Sequence, residues 1–219
     1  MTSRSALASL ALLAGLGTFT ALPAAASATC PSEAVPSVVQ TEASMSQSIL
    51  CLVNEERAAA GIGAVHSNPQ LEAAALVHSR DMVSKRFFAH TSPEGIGFIR
   101  RISDTGYTQG AGSWLAGENL AWGSGSLSTP AQIVLSWMES PPHRANLLRG
   151  QFREIGIAVV RGTPQAVPVL DGVTITSEYG YRGAKTASGA KKAGGAKKAG
   201  GAKKAGGAKK AKKRTARRR

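Results

Sequence analysis

NPQLEAAALVHSRDMVSKRFFAH, residues 68–90, is the stretch on which the fold turns. Asn68 is a preferred N-cap residue, and Pro69 suits the first helical position, where an N–H has no partner anyway. Leu71, Ala75, His78 and Met82 then fall on one face, which predicts an amphipathic helix ending near Phe87 and Phe88. His90 follows at its end, just before a Thr91-Ser92-Pro93 turn. Two readings of His90 stand: an imidazole lining a cleft, as metal ligand or proton carrier, or a histidine stabilising a helix C-terminus through the dipole.

Outward from that helix the pattern continues. On the N-terminal side Ile49, Leu52, Val53 and Ala60 keep a helical rhythm, with Gly61 as a stop. On the C-terminal side Ser92-Pro93-Glu94 predicts the start of a third, shorter helix. Thr129-Pro130-Ala131-Gln132 reads as a capping box ahead of Ile133, Val134 and Trp137. Ser140-Pro141-Pro142 ends that helix and starts a short one carrying His143. Strand signals lie at Glu118–Trp122, Ile155–Val160 and Val173–Tyr179, the last alternating apolar and polar residues. Helices around a few strands separated in sequence predict α+β or mixed α/β layers.

The chain has four histidines, and two of them sit in segments dense in polar chemistry. FFAHTSPEG holds His90, AGENLAWG holds Glu118 and SWMESPPHRANLL holds His143. We read these as walls of one cleft, because imidazole and carboxylate bind borderline metals and move protons near neutral pH. Glu118, beside Trp122, would orient an imidazole or join a metal's ligands; the other reading is an acceptor for loop amides. His143 follows two rigidifying prolines, and a positive residue at a helix start is mildly unfavourable, which favours a functional role. His78 reads as a hydrogen-bonded residue on a packed face, His66 as a solvated loop residue and Glu154 as structural. Trp114, Trp122 and Trp137 read as core or cleft wall. HExxH, G-x-S-x-G and P-loop signatures are absent from the sequence.

Residues 1–28 predict an export signal: Arg4, an apolar stretch from Ala6 to Leu16, then Ala26-Ser27-Ala28 for cleavage. No later segment is apolar enough for a membrane helix. Cys30 and Cys51, the only cysteines, read as a disulfide in an exported chain, tying an N-terminal arm (29–44) to the first helix. Two free thiols are the other reading.

The net charge of +14 is an average over two unlike parts. Sixteen Lys or Arg and no acid lie from Arg182 onward, which leaves eleven basic residues against thirteen acidic ones before it. Residues 182–219 include three consecutive AKKAGG repeats from position 190, and the glycines and like charges argue for disorder. Such a polycation would meet anionic partners: cell-wall polymer, anionic lipid or extracellular DNA. No aromatics interleave its lysines, so base stacking is not expected.

LVNEERAAAG, NPQLEAAALVHSRDMVSKRFFAHTSPEG, GENLAWG, WMESPPHRANLL and FREIGIAV occur in this order. Together they resemble the CAP superfamily (cysteine-rich secretory, antigen 5 and pathogenesis-related proteins) in its bacterial secreted form, over residues 45–181. The resemblance implies an α+β fold, a three-layer α-β-α sandwich with a small antiparallel sheet. It also implies a cleft lined by two histidines, here His90 and His143, that takes a divalent metal such as zinc, with Glu118 beside them. Many members carry a second glutamate three residues after the tryptophan. That position is Ser140 here, and Glu139, one step earlier, is assigned to the cleft.

The expectation is thus a secreted, monomeric protein with a metal-capable cleft for a small molecule or lipid, held at the cell envelope or other polyanions by its tail. A zinc-dependent hydrolase using the same cleft and a histone-like DNA-binding protein are the alternatives.

Overall fold

The computed structural model describes residues 30–165 and 171–185. The predicted export signal and the repeats of the basic tail lie outside them. The chain divides into two units, Met1–Ala184 and Lys185–Arg219, and every element below belongs to the first.

Five α-helices and four strands follow in the order α1 (Glu42–Ala59), β1 (His66–Ser67), α2 (Pro69–Lys85), α3 (Phe98–Asp104), β2 (Ser113–Gly123), α4 (Pro130–Glu139), α5 (Pro141–Leu147), β3 (Glu154–Arg161) and β4 (Val173–Gly183). The sheet order is β1-β3-β4-β2. The three long strands are antiparallel as expected. The two-residue β1, which periodicity is too short to signal, pairs parallel with β3. His66 lies in it, exposed, opposite Glu154.

Strand alternation sorts the sheet's two faces. One face packs on α1, α4 and α5 through Met45, Ile49, Val53, Ile133, Val134, Trp137, Ile175 and Tyr179. The other meets α2 and α3, where Leu71, Ala74, Ile102 and Tyr107 form a smaller cluster and Ser79 Oγ donates to Thr176 Oγ1 at 2.8 Å. The result is the α-β-α sandwich. Gly156 of β3 is required by this packing, because a Cβ there would lie 2.0 Å from the Glu72 backbone nitrogen in the first turn of α2.

The helix ends obey the predicted chemistry. Asn68 accepts from the N–H groups of Gln70 and Leu71, and Thr129 accepts from that of Gln132. In α1 the buried stripe is Met45, Ile49, Val53 and Arg57, whereas Leu52 is half-buried and Ala60 exposed. Arg57 thus takes the core position that an apolar residue would normally hold.

Two expectations need correction. Ser92-Pro93-Glu94 forms a turn, with Gly95 N–H donating to Ser92 O, and the helix starts only after Gly97. β4 also runs on to Gly183, so Arg182 pairs with Trp114 inside the sheet. Cys30 and Cys51 are bonded, with Cα atoms 5.7 Å apart, which fastens the arm to α1.

Candidate functional site

β2 is an edge strand, and the two sides of its Gly117-Glu118-Asn119 segment are served by different layers. Adjacent residues of a strand point to opposite faces, so Glu118 enters the α2–α3 side and Asn119 the α5 side. His90 and His143 approach this strand from those two layers.

Glu118 is almost wholly buried and lies directly across from Glu178 of β4. Its Oε1 accepts from His90 Nδ1 at 2.7 Å, and its Oε2 accepts from Arg101 Nη2. Arg101, a buried residue of α3, also donates to the His90 carbonyl at 3.2 Å and to Ile96 O at 2.8 Å. One guanidinium therefore fixes the backbone of His90 while holding the carboxylate that fixes its ring. His90 keeps 54% of its side chain in solvent, and with Nδ1 engaged, Nε2 is its free nitrogen. The hydrogen bond to Glu118 raises the imidazole pKa, against the opposing effect of burial.

Glu178 is fully buried, and neither of its oxygens has a hydrogen-bond partner among the described residues. Burial first, then the Glu118 charge beside it, push its pKa well above the ordinary range. Burial alone would raise Glu118 as well. The bond from His90 and the Arg101 charge hold it below normal. Burial and the neighbouring Glu118 charge therefore favour the neutral, protonated form of Glu178 while Glu118 carries the negative charge. His78, as expected, is a buried helix residue whose Nε2–H donates to Ala89 O at 2.9 Å; burial lowers its pKa.

The other side is built from neutral amides and carbonyls. Asn119 Nδ2 donates to His143 O at 3.0 Å, while Asn146 Nδ2 donates to Glu118 O and Asn119 Oδ1, both at 3.0 Å. Gly117 makes room for this, since a Cβ there would stand 2.9 Å from Asn146 Oδ1. Arg57 anchors the end of α5, donating to Leu147 O at 2.7 Å, Arg149 O at 3.2 Å and Phe152 O at 3.1 Å. His143 is half-buried, and burial followed by the charge of His90 lowers its pKa. His90 is thus held toward its charged form and His143 toward neutrality.

Glu139 makes no hydrogen bond or ion pair to this group among the described residues. It is the exposed last residue of α4 and lines a shallow hollow with Met138, Pro141, Arg144, Ala145 and Leu148. Trp137 is core, its Nε1 donating to Leu120 O, while Trp114 and Trp122 remain partly exposed on β2. Glu154 accepts from Asn68, Tyr107 and Arg182, the structural role expected of it. Sequence reasoning missed Arg101 and Glu178. The available signal was an acid on an otherwise half-buried alternating strand.

The comparisons agree with this architecture. The family described as CAP, the Cysteine-rich secretory protein family, matches residues 50–179. The Bacillus subtilis (strain 168) protein YkwD is 33% identical over 139 residues, which is 63% of this chain and 50% of that protein. An extracellular protein containing an SCP domain from Bacillus anthracis shares 27% identity and a TM-score of 0.52 over 63% of this chain and 40% of its own. An outer surface protein from Borrelia burgdorferi, at 20% identity, shares the fold with a TM-score of 0.54, over 65% of this chain and 96% of its own. This chain therefore spans about half the length of the Bacillus subtilis relative and less of the Bacillus anthracis one. With the family match covering more than half of its residues, the chain belongs to the CAP, or cysteine-rich secretory protein, family.

Proposed function

We propose that the protein is a secreted CAP-domain binding protein whose His90–His143 cleft takes a divalent cation, or a ligand presented to one, while its basic tail holds it on anionic polymer. The observation that carries the cleft reading is the His90–Glu118 bond. A buried carboxylate on Nδ1 sets the ring's orientation and leaves Nε2 free, the usual arrangement behind a metal-binding histidine. The lowered pKa of His143 favours the neutral ring that coordination needs.

The donor set fits an open, exchangeable site better than a tight one. Both oxygens of Glu118 are committed, to His90 and to Arg101. Among the described residues, the one group of three close donors is Cys30, Cys51 and Glu55, and those cysteines are bonded to each other. His90 and His143 would hold the ion through imidazole nitrogen, and solvent or ligand would fill the rest. Such an ion would supply polarisation of a bound oxygen. Hydrolytic zinc sites more often have three protein ligands, so the hydrolase reading has less support. Calorimetric titration with zinc tests the site: weak, saturable binding to the native chain, lost in both His90→Ala and His143→Ala. Binding unchanged in either variant contradicts it.

Export is supported by the extracellular and outer-surface descriptions of the two structural neighbours and by the disulfide, which persists in oxidising compartments. No helix among the described residues is long and apolar enough to cross a membrane. The disulfide also weighs against an intracellular histone-like role. Deleting residues 184–219 is expected to abolish retention on a polyanion column at low salt, because of the sixteen basic residues from Arg182 onward only Arg182, already paired with Glu154, remains. Unchanged retention contradicts the tail reading.

A further inference from the structure

Another hollow, of about 500 Å³, lies between α2, the turn at residues 92–96 and α3. That volume falls in the range of small-ligand pockets. Its walls are part apolar: Ala74 and Val77 come from α2, and Ile96 from the turn. Val77 and Ile96 leave 56% and 40% of their surface in water, a cost that an apolar ligand would remove.

Two polar features give the ligand its chemistry. Arg101 contributes to the lining, and its side chain is only 4% exposed. Its Nη1 and Nη2 are occupied by Ile96 O, His90 O and Glu118, yet its Nε–H has no acceptor among the described residues. A buried donor left unpaired is costly, so an acceptor brought in by a ligand would be rewarded. At the mouth, Asp81 and Glu94 share one ammonium, Lys85 Nζ, at 3.1 Å each. Asp104 is already paired with Arg100, and the charge of Arg101 is met by Glu118, so the mouth keeps one uncompensated negative charge.

We propose that this hollow is a separate binding site for the amino terminus of a short apolar peptide. The peptide's ammonium lies at Asp81 and Glu94, a backbone carbonyl accepts from Arg101 Nε, and an apolar side chain covers Ala74, Val77 and Ile96. A fatty carboxylate would match the walls but would bring its charge to a negative mouth. A divalent cation would match the mouth but leave the walls and the Arg101 donor unused. The site is independent of whether the histidine cleft takes a metal. It shares Arg101 with that cleft, so occupancy is felt at His90 through the guanidinium that holds the His90 carbonyl.

The test is an amide-resonance titration of the full chain with L-leucyl-L-leucinamide, its N-acetyl form and decanoate, without added metal. The expected result is saturable shifts along α2 and α3, with a dissociation constant of about 1 mM or tighter. The N-acetyl form should bind about fivefold more weakly, because it lacks the ammonium. Val77→Arg, at an exposed position, should block binding while leaving the thermal melt unchanged. Should that variant lose its fold, Glu94→Gln must still weaken the dipeptide and not the N-acetyl form. Absence of saturable shifts, equal affinity for the acetylated peptide, or binding of decanoate in place of the dipeptide overturns the proposal.

Discussion

The two sides of β2 that hold His90 and His143 are made of different materials. The α2–α3 side is a charge cluster in which half-exposed His90 rests on buried Glu118, with buried Arg101 and Glu178 behind it, the last pushed toward its neutral form by burial. The α5 side holds His143 through side-chain amides, carbonyls and a glycine, with no ion pair among the described residues. The difference bears on the histidines themselves. A carboxylate at Nδ1 pulls His90 toward the charged state, whereas His143, gripped by its backbone carbonyl alone, titrates as burial and its cationic neighbour dictate. Two imidazoles of opposite tendency suit the cation site proposed above, where one ring must stay neutral to coordinate.

The comparison breaks most sharply if the two anchoring arginines are removed. Arg101→Ala strips the partner from a buried carboxylate and is expected to cost about 3–5 kcal/mol in urea denaturation. Arg57→Ala leaves carbonyls without a donor but strands no charge, and is expected to cost less, about 2–3 kcal/mol. Equal losses would mean that the charged side is no more demanding than the neutral one.

Glu178 sharpens the same point. If it is a neutral carboxylic acid, Glu178→Gln keeps a neutral group of similar shape and should cost under about 1 kcal/mol. Glu178→Ala removes that group and leaves a cavity, and should cost about 2–3 kcal/mol. A glutamine variant as unstable as the alanine one would show that Glu178 is not held in its neutral form.

The smallest effect is expected far from the cleft, at Glu154. Burial would raise its pKa, but the bonds from Arg182, Tyr107 and Asn68 hold it below 4.5. A carboxylate depressed in the folded state gives its full stabilisation above the unfolded value and loses it as pH falls through the folded one. Glu154→Gln should therefore flatten the acid limb of the stability profile below about pH 4.5 and leave the limb above pH 7 parallel to native. An unaltered acid limb would place that pH dependence in the cleft carboxylates instead.

Features set by local chemistry were the more legible in sequence. Capping residues and prolines announce α2, α4 and α5 directly, because Asn68, Thr129 and Pro141 act within one turn. The collinear motifs carried His90, Glu118 and His143. What stayed hidden depends on contacts across the sheet. Glu178 stands 60 residues from Glu118 in the chain, and only the β2–β4 register makes them neighbours. Arg101 looks like a surface residue of a short helix until the sheet edge buries it. Glu139 shows the opposite case, an acid beside a recognisable motif whose helix phase sends it to an exposed hollow. The misplaced third helix has a local cause: Ser92 closes a turn through Gly95, and helical geometry begins only at Phe98.

A crystal of the native chain soaked in zinc, with an anomalous difference map collected at the metal's absorption edge, tests the central claim. The account predicts a peak about 2.0–2.1 Å from His90 Nε2 and a similar distance from a nitrogen of His143, with Glu118 still on His90 Nδ1. A map with no peak at the cleft, or an ion on one histidine with the other ring turned away, would contradict it.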